Sequence, residues 1–273
     1  MPADPLNRIV LEYERAIKRL LRQAGDLSTD QLLNLWTSTD FHNAARQLAE
    51  KMVGRVYNFN ARSWREAAMR GTRSRTIYEV MQRELAQRGG WLGTAVGRLV
   101  AENARLIRSV PADIAREITA FAAEQQQRGL RAPDIAREIR RRAPYLTRNK
   151  IRLIARTEVS KAETALTQAR SQDLGLDWYE WQTSEDQRVR VSHRNMNHVL
   201  VNWNDPPPPE ALVGERSTLG RYHAGGCPNC RCVALPMVSL AEIRFPTRVF
   251  YNGSLTRMTK AQFSRIAGLP AAA

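Results

Sequence analysis

The chain has 273 residues and a mass of 31.0 kDa, room for one large or two modest domains at roughly 100–200 residues each. Hydrophobic residues at 43% and charged residues at 25% exclude wholesale disorder, and no apolar run approaches the roughly 18–20 residues that span a bilayer. Lys and Arg number 42 against 27 Asp and Glu, leaving a formal charge of +15.

Only five of the 42 cations are Lys. Arginine grips phosphate and carboxylate pairwise through its planar fork, where lysine acts as a point charge. The excess is uneven: Ala61 to Arg170 holds 23 basic and 11 acidic residues. A polyanion facing this stretch, DNA first, is one reading; a GC-rich coding sequence with solvated helix faces is the other. Few aromatics interleave with the arginines, which argues against base stacking. Any DNA contact is then to the backbone, blind to sequence and sensitive to salt. The opening MPADPLNRIV lacks a basic stretch followed by an apolar one, so a cytosol-like compartment is expected.

In chain order, Ile9, Val10, Tyr13, Ile17, Leu20 and Leu21 fall at helical spacing between Asn7 and Leu21. A short second helix is expected to carry Leu32, Leu33 and Trp36. A third runs from Thr39 or Asp40 towards Tyr57, and another from Asn60 to Arg88, with Gly89-Gly90 as a break. Leu92 to Ile107 is helical. Two similarly capped helices follow, opening at Pro111-Ala-Asp and Ala132-Pro-Asp, each with proline near the first turn and a carboxylate facing the positive end of the dipole. Gly129 ends the first and Pro144 follows the second. Thr147 caps the longest helix, which runs to about Asp173 and stops at Gly175.

Beyond Gly175 the character changes. Leu176 to Gln182 alternates like a strand, with Leu176 and Trp178 in one register and Tyr179 and Trp181 out of it. A short apolar run from Val199 to Trp203, the prolines 206–209 and a final strand from Cys232 follow. Residues from Arg244 onward read as a tail. The fold class is therefore mainly α with a small α+β C-terminal domain: a helical region over 1–146, a compact module over 147–243 and a tail over 244–273.

Cys227, Cys230 and Cys232 are the chain's three cysteines and fall within six residues. A disulfide framework spreads an even number along the chain, so the cluster points to metal. Cys227-Pro-Asn-Cys230 favours a tight turn aiming both sulfurs at one point, and Cys232 supplies a third. A tetrahedral structural zinc site needs a fourth ligand; His193, His198 and His223 are near in sequence. His223 would crowd all four into ten residues, whereas His193 would staple two halves of a small domain. Free thiols and a disulfide remain the alternatives. Glu158, Glu180, Glu185, Asp186 and His193 also offer acid–base or metal-dependent chemistry, with Arg190 on a phosphate, but no recognised spacing backs it.

Arg156-Thr157-Glu158, then Trp178 and Trp181, then Asp186-x-x-x-Arg190-x-x-His193, a proline loop and Pro228-Asn-Cys230-Arg-Cys232 resemble, in that order, the head morphogenesis domain of phage Mu F-type minor head proteins. The resemblance covers about Thr147 to Leu240. Where that family commonly has His before the proline, this chain has Cys227; imidazole and thiolate are interchangeable zinc ligands. The resemblance favours His193 as the fourth ligand, giving a structural Zn²⁺ set of His193, Cys227, Cys230 and Cys232. It also casts Arg156 with Glu158, and Asp186 with Arg190, as internal ion pairs rather than catalytic groups.

The resemblance implies a non-enzymatic virion component: a minor head protein inside the capsid at the portal, made in the host cytoplasm. Its expected partners are the portal protein, the major capsid or scaffolding protein and the backbone of packaged double-stranded DNA, with no membrane. Arg140, Arg141, Arg142, Arg148 and Lys150 are the candidate DNA contacts. The competing function is a metal-dependent nuclease or toxin-like effector acting on nucleic acid.

Overall fold

The computed structural model describes residues 5–21, 34–35, 37–70 and 91–268. Among the described residues, four long helices carry the first two thirds: α1 Pro5–Leu20, α2 Thr39–Arg70, α3 Trp91–Gln127 and α4 Ala132–Asp173. The chain divides into two compact units, residues 1–59 with 96–159, and 60–95 with 160–273. The expected helix carrying Leu32, Leu33 and Trp36, the stretch from 71 to 88 and the Gly89-Gly90 break lie outside the described residues.

The described residues of the first unit are mostly helical. Ile9, Tyr13 and Ile17 of α1 are buried, as are Phe41, Met52, Val53 and Val56 of α2 and Ile151, Ile154 and Val159 of α4. The Tyr13 hydroxyl donates to Asn103 Oδ1 at 3.2 Å, and Asn103 Nδ2 donates to the Leu99 carbonyl at 2.8 Å. Burial, and after it the charge of Glu158, pushes the Tyr13 hydroxyl well above its ordinary range.

The helices are longer than the sequence pattern implies. Pro111 lies inside α3, where a helix was expected to open, and Pro144 inside α4, where one was expected to have ended. A mid-helix proline forfeits one hydrogen bond and crowds the preceding turn, at about 3 kcal/mol. On α3 the buried stripe Leu99, Ile107, Val110, Ile114 continues across Pro111, so breaking the helix there would expose more than the proline costs. Thr147, expected as a cap, lies within α4 and donates to the Ala143 carbonyl at 2.8 Å. A boundary at 146/147 thus falls mid-helix. Tyr57 and Asn60 likewise share one helix rather than flanking a gap.

The second unit holds a five-stranded sheet: β1 Trp178–Gln182, β2 Val199–Asn202, β3 Val233–Pro236, β4 Thr247–Tyr251 and β5 Ser254–Met258. The order is β3-β1-β2-β4-β5. β1 pairs antiparallel with β2 and β3, and β4 with β5, while β2 and β4 run parallel. Both faces are covered. Tyr179, Trp181, Val199, Val201, Ala234 and Phe250 look into one core, and Trp178, Leu200, Val249 and Met258 into another that Phe263 completes. This is why β1 carries bulk in both registers: alternation marks a half-exposed strand, and this one is buried on both sides.

The segment expected as a tail is part of this sheet. β4 lies beside β2, and the hairpin to β5 turns on Asn252 and Gly253, both with positive φ, the signature of a two-residue primed turn. Helix α6, Lys260–Ala267, follows behind a capping box between Thr259 and Gln262.

Within this unit α2 and α4 are joined by a buried polar network. Asn60 Nδ2 donates to Glu163 Oε1 and Thr167 Oγ1, both at 2.8 Å, and the Arg170 guanidinium donates to Asn60 Oδ1. Asn60 is 1% and Arg170 2% exposed. Asn60→Ala removes these bonds and takes one acceptor from a buried cation. The expected cost is about 1–3 kcal/mol in urea unfolding; a midpoint equal to the parent's contradicts the assignment.

Candidate metal centre

Two loops meet on the sheet face that carries Tyr179 and Trp181. The first leaves β1 and enters a short helix, α5 Val191–Met196, which buries Ser192, His193 and Met196. It is tied to the sheet through Asn197: Thr183 N–H donates to Asn197 Oδ1 at 2.9 Å, and Arg248 of β4 donates to the Asn197 carbonyl at 2.8 Å. The second loop, Tyr222 to Cys232, docks on α4, where Thr164 Oγ1 donates to the Ala224 carbonyl at 2.7 Å. Gly225 has φ +82°, and a Cβ there would strike Thr164 Oγ1. The approach is close enough that only glycine fits.

The cysteines follow at once. Cys230 N–H donates to the Cys227 carbonyl at 3.1 Å, closing a turn with Asn229 at φ +57°. Cys232 N–H points back to Cys230 Sγ at 3.4 Å. All three thiols are free and buried.

His193 sits among them. Its Nδ1 lies 3.6 Å from Cys230 Sγ and 3.3 Å from Cys232 Sγ, and its Nε2 lies 3.6 Å from Cys227 Sγ. The donor atoms of His193, Cys230 and Cys232 fall within 4.8 Å of one another. In a tetrahedral zinc site, with Zn–S near 2.3 Å and Zn–N near 2.0–2.1 Å, neighbouring S and N donors stand about 3.6 Å apart. The buried soft donors around Nδ1 fit such an ion. Cys227, the fourth expected ligand, stands at the other ring nitrogen.

The ring and sulfurs perturb one another. Burial opposes charge on His193, yet hydrogen bonds with Cys227 and Cys230 lift it to about 9. Contact with Cys230, then burial, pushes the Cys227 thiol up to about 12, while contact with Cys230 draws Cys232 down.

His223, the rejected alternative, faces elsewhere: its Nδ1 is 3.2 Å from the Tyr179 hydroxyl and its ring stands edge-on to Trp203. His198 is exposed and lies against Glu180 at 2.5 Å and Glu185 at 3.6 Å.

The expected ion pairs need correction. Asp186 pairs with Arg231, whose Nη2 donates to Oδ1 at 2.6 Å with Nη1 on the other oxygen. Arg190 instead donates from Nη1 to Cys227 Sγ and from Nη2 to the Pro228 carbonyl, both at 2.9 Å. The guanidinium four residues from Asp186 lost to the one brought by the cysteine turn, and Cys227 Sγ took the freed Arg190. Arg156 is exposed while Glu158 is buried; residues two apart on a helix do not share a face. Of the catalytic alternative's residues, Glu180 and Glu185 gather around His198 and Asp186 around Arg231.

The candidate DNA-contacting residues lie in the first unit. Arg140, Arg141, Arg142 and Arg148 are exposed and Lys150 is half-buried. Arg141 and Arg142 both pair with Glu138, and Lys150 pairs with Asp113. Arg142 lies 4.3 Å over the Phe121 ring.

Sequence reasoning missed Glu210 and Tyr222. Tyr222 hydroxyl lies 2.9 Å from His193 Nε2 and donates to Glu210 Oε1 at 2.6 Å. Glu210 directly follows the proline run, and Tyr222 N–H donates to the Pro207 carbonyl at 3.1 Å. No spacing rule links the two; only the folded proline loop does.

Over part of its length the chain is similar to known proteins. The family described as "Phage Mu protein F like protein" matches residues 116–235, beginning upstream of the expected 147 and ending before 243. An uncharacterized protein of Haemophilus influenzae (strain ATCC 51907 / DSM 11121 / KW20 / Rd) is 31% identical over 147 residues, covering 54% of this chain and 30% of that protein. The chain thus spans about a third of the length of the curated relative it matches. No solved structure matches it.

Burial holds His223 down at about 4, against an ordinary value of 6.5. The unfolded chain therefore takes up a proton that the folded chain refuses. Stability is unaffected above about pH 6.5 and falls as the pH drops towards 4. Relative to His223→Gln, the protein should lose up to roughly 3 kcal/mol over that window in urea unfolding. Parallel pH profiles for the two proteins would contradict the burial assignment.

Proposed function

We propose, from the premise that residues 116–235 belong to the phage Mu protein F-like family, that this chain is a structural head-morphogenesis protein of a tailed bacteriophage. Its place is the capsid interior at the portal, with portal and capsid or scaffolding proteins as partners. The observation that carries the reading is the family match over the segment that contains the inward-facing His193–cysteine cluster. Thiolate-rich donors quench the Lewis acidity that hydrolysis needs and suit an ion that holds loops together. His193, Cys230 and Cys232, with Cys227 beside them, would hold Zn²⁺; when bound, it supplies a cross-link between the α5 loop and the cysteine loop.

The described helices include none long and apolar enough to cross a membrane, in keeping with a protein enclosed in a head. The test is a phage or prophage lacking the gene: DNA-filled heads should fail to form or should lose infectivity, and Cys230→Ala should reproduce part of that loss. Normal heads without the chain overturn the proposal. Metal-dependent cleavage of plasmid by the purified protein, abolished in His193→Ala, would instead support the nuclease reading.

The same proposal gives Arg140, Arg141, Arg142, Arg148 and Lys150 to the DNA backbone. Arg141 and Arg142 are exposed where they pair with Glu138, and such surface pairs are weak, so phosphate can compete for these arginines. Affinity for duplex DNA should fall steeply from 50 to 200 mM salt, whatever the sequence. Replacing the five by Gln should flatten the log–log salt slope by roughly four to five. An unchanged slope assigns the charge to a protein partner.

A further inference from the structure

The protons around His193 can be counted. The Tyr222 hydroxyl has one proton, and it goes to Glu210 Oε1 at 2.6 Å. Ser192 Oγ donates to the same oxygen at 3.4 Å. Tyr222 therefore meets His193 Nε2, 2.9 Å away, as an acceptor, and Nε2 must carry the hydrogen. A ring that ligates a metal keeps one N–H at most; with that hydrogen on Nε2, the lone pair offered to an ion is on Nδ1, the nitrogen 3.3 Å from Cys232 Sγ and 3.6 Å from Cys230 Sγ.

All four side chains of this chain are buried: Ser192 at 0%, His193 at 3%, Glu210 at 6% and Tyr222 at 9% exposure. The other neighbour of Nε2 is Cys227 Sγ at 3.6 Å, farther than the Tyr222 hydroxyl. Trp181 stands edge-on to the His193 ring, centroids 5.6 Å apart, and limits its rotation.

We propose that Glu210 and Tyr222 are positioning residues for the metal centre: through His193 Nε2–H they fix the ring so that Nδ1, and not Nε2, is the ligating atom for a Zn²⁺ shared with Cys230 and Cys232. The inference rests on the metal reading above and adds the nitrogen and its support. Uptake of the ion displaces any proton on Nδ1 and leaves the Nε2–H···Tyr222–O–H···Glu210 chain intact. Outer partners of this kind typically set metal affinity over a range of 10–100-fold. The carboxyl arrives through the proline run: Glu210 follows Pro209, and the turn after it is closed by Leu212 N–H donating to the Pro208 carbonyl at 3.1 Å.

The experiment uses the full chain, labelled with ¹⁵N-histidine and loaded with Zn²⁺ or Co²⁺. Four histidines are present, and His193→Gln identifies the signal of interest. The expected ¹⁵N pattern is a metal-bound Nδ1 with a protonated Nε2 on His193. Tyr222→Phe keeps the ring and removes the hydroxyl. It should weaken Zn²⁺ retention against a competing chelator by about 10–100-fold and alter the Co²⁺ absorption spectrum. Glu210→Gln keeps an acceptor for the tyrosine and should stay within a few-fold of the parent. A metal-bound Nε2 in the parent overturns the assignment without any variant, as does Tyr222→Phe with unchanged retention and spectrum. A parent that takes up neither ion overturns the metal reading itself, and the relay with it.

Discussion

The second unit depends on one contact, that of the His193 ring with three cysteine sulfurs. It joins two loops that are further tied by the Asp186–Arg231 pair and by Arg190 on Cys227 and Pro228. One hangs from β1 and the other from α4, and neither contains a run of aliphatic residues long enough to make a core alone. The sulfurs also count as apolar filling: Cys227, Cys230 and Cys232 belong to the cluster that holds Trp181, Trp203, Tyr179 and Phe250. A cross-link and a core are thus the same atoms. Where a sheet of short strands leaves a small core, such a clip does what additional Leu and Ile do elsewhere.

Around that contact, each polar neighbour has an orienting duty. Arg190 spans Cys227 Sγ and the Pro228 carbonyl, so it fixes the turn and places a cation beside a sulfur. Burial works against the charge on Arg190, and the sulfur of Cys227 outweighs it. Arg231 is held outward by Asp186, at the mouth of a ≈ 220 Å³ cavity that both arginines help line. Tyr222 and Glu210 close the opposite edge of the ring. These groups hold the His193 ring and the sulfurs in place, and none of them presents a free base towards the sulfurs.

How much was legible depended on whether a signal was local. Cys-x-x-Cys-x-Cys is a local pattern, and His193 was found by the order of motifs. Asp186 and Arg190 looked like partners because they are four residues apart, but the decisive neighbour, Arg231, is 45 residues on, beyond any periodicity. The long helices were divided at Pro111 and Pro144 because a proline's local cost is visible and the burial that outweighs it is not. Asn252-Gly253 and the Thr259–Gln262 capping box were readable hairpin and helix signals, lost because the flanking strands have few apolar residues: in β5 only Met258 is buried. Glu210 left no local signal at all.

The strand that closes the sheet also bears on the site. β4 sends Arg248 across to Asn195 Oδ1 at 3.2 Å and to the Asn197 carbonyl at 2.8 Å, at the far end of α5 from Ser192 and His193. The helix that carries His193 is therefore pinned at its C-terminal end by a residue beyond the matched family segment, which ends at 235. Its inward side is held by the sulfurs and the Tyr222–Glu210 pair. Six residues held from two directions have little freedom to turn. The ring's place among the sulfurs is thus a property of the whole second unit, and the segment after 243, far from being an appendage, is part of what aims it.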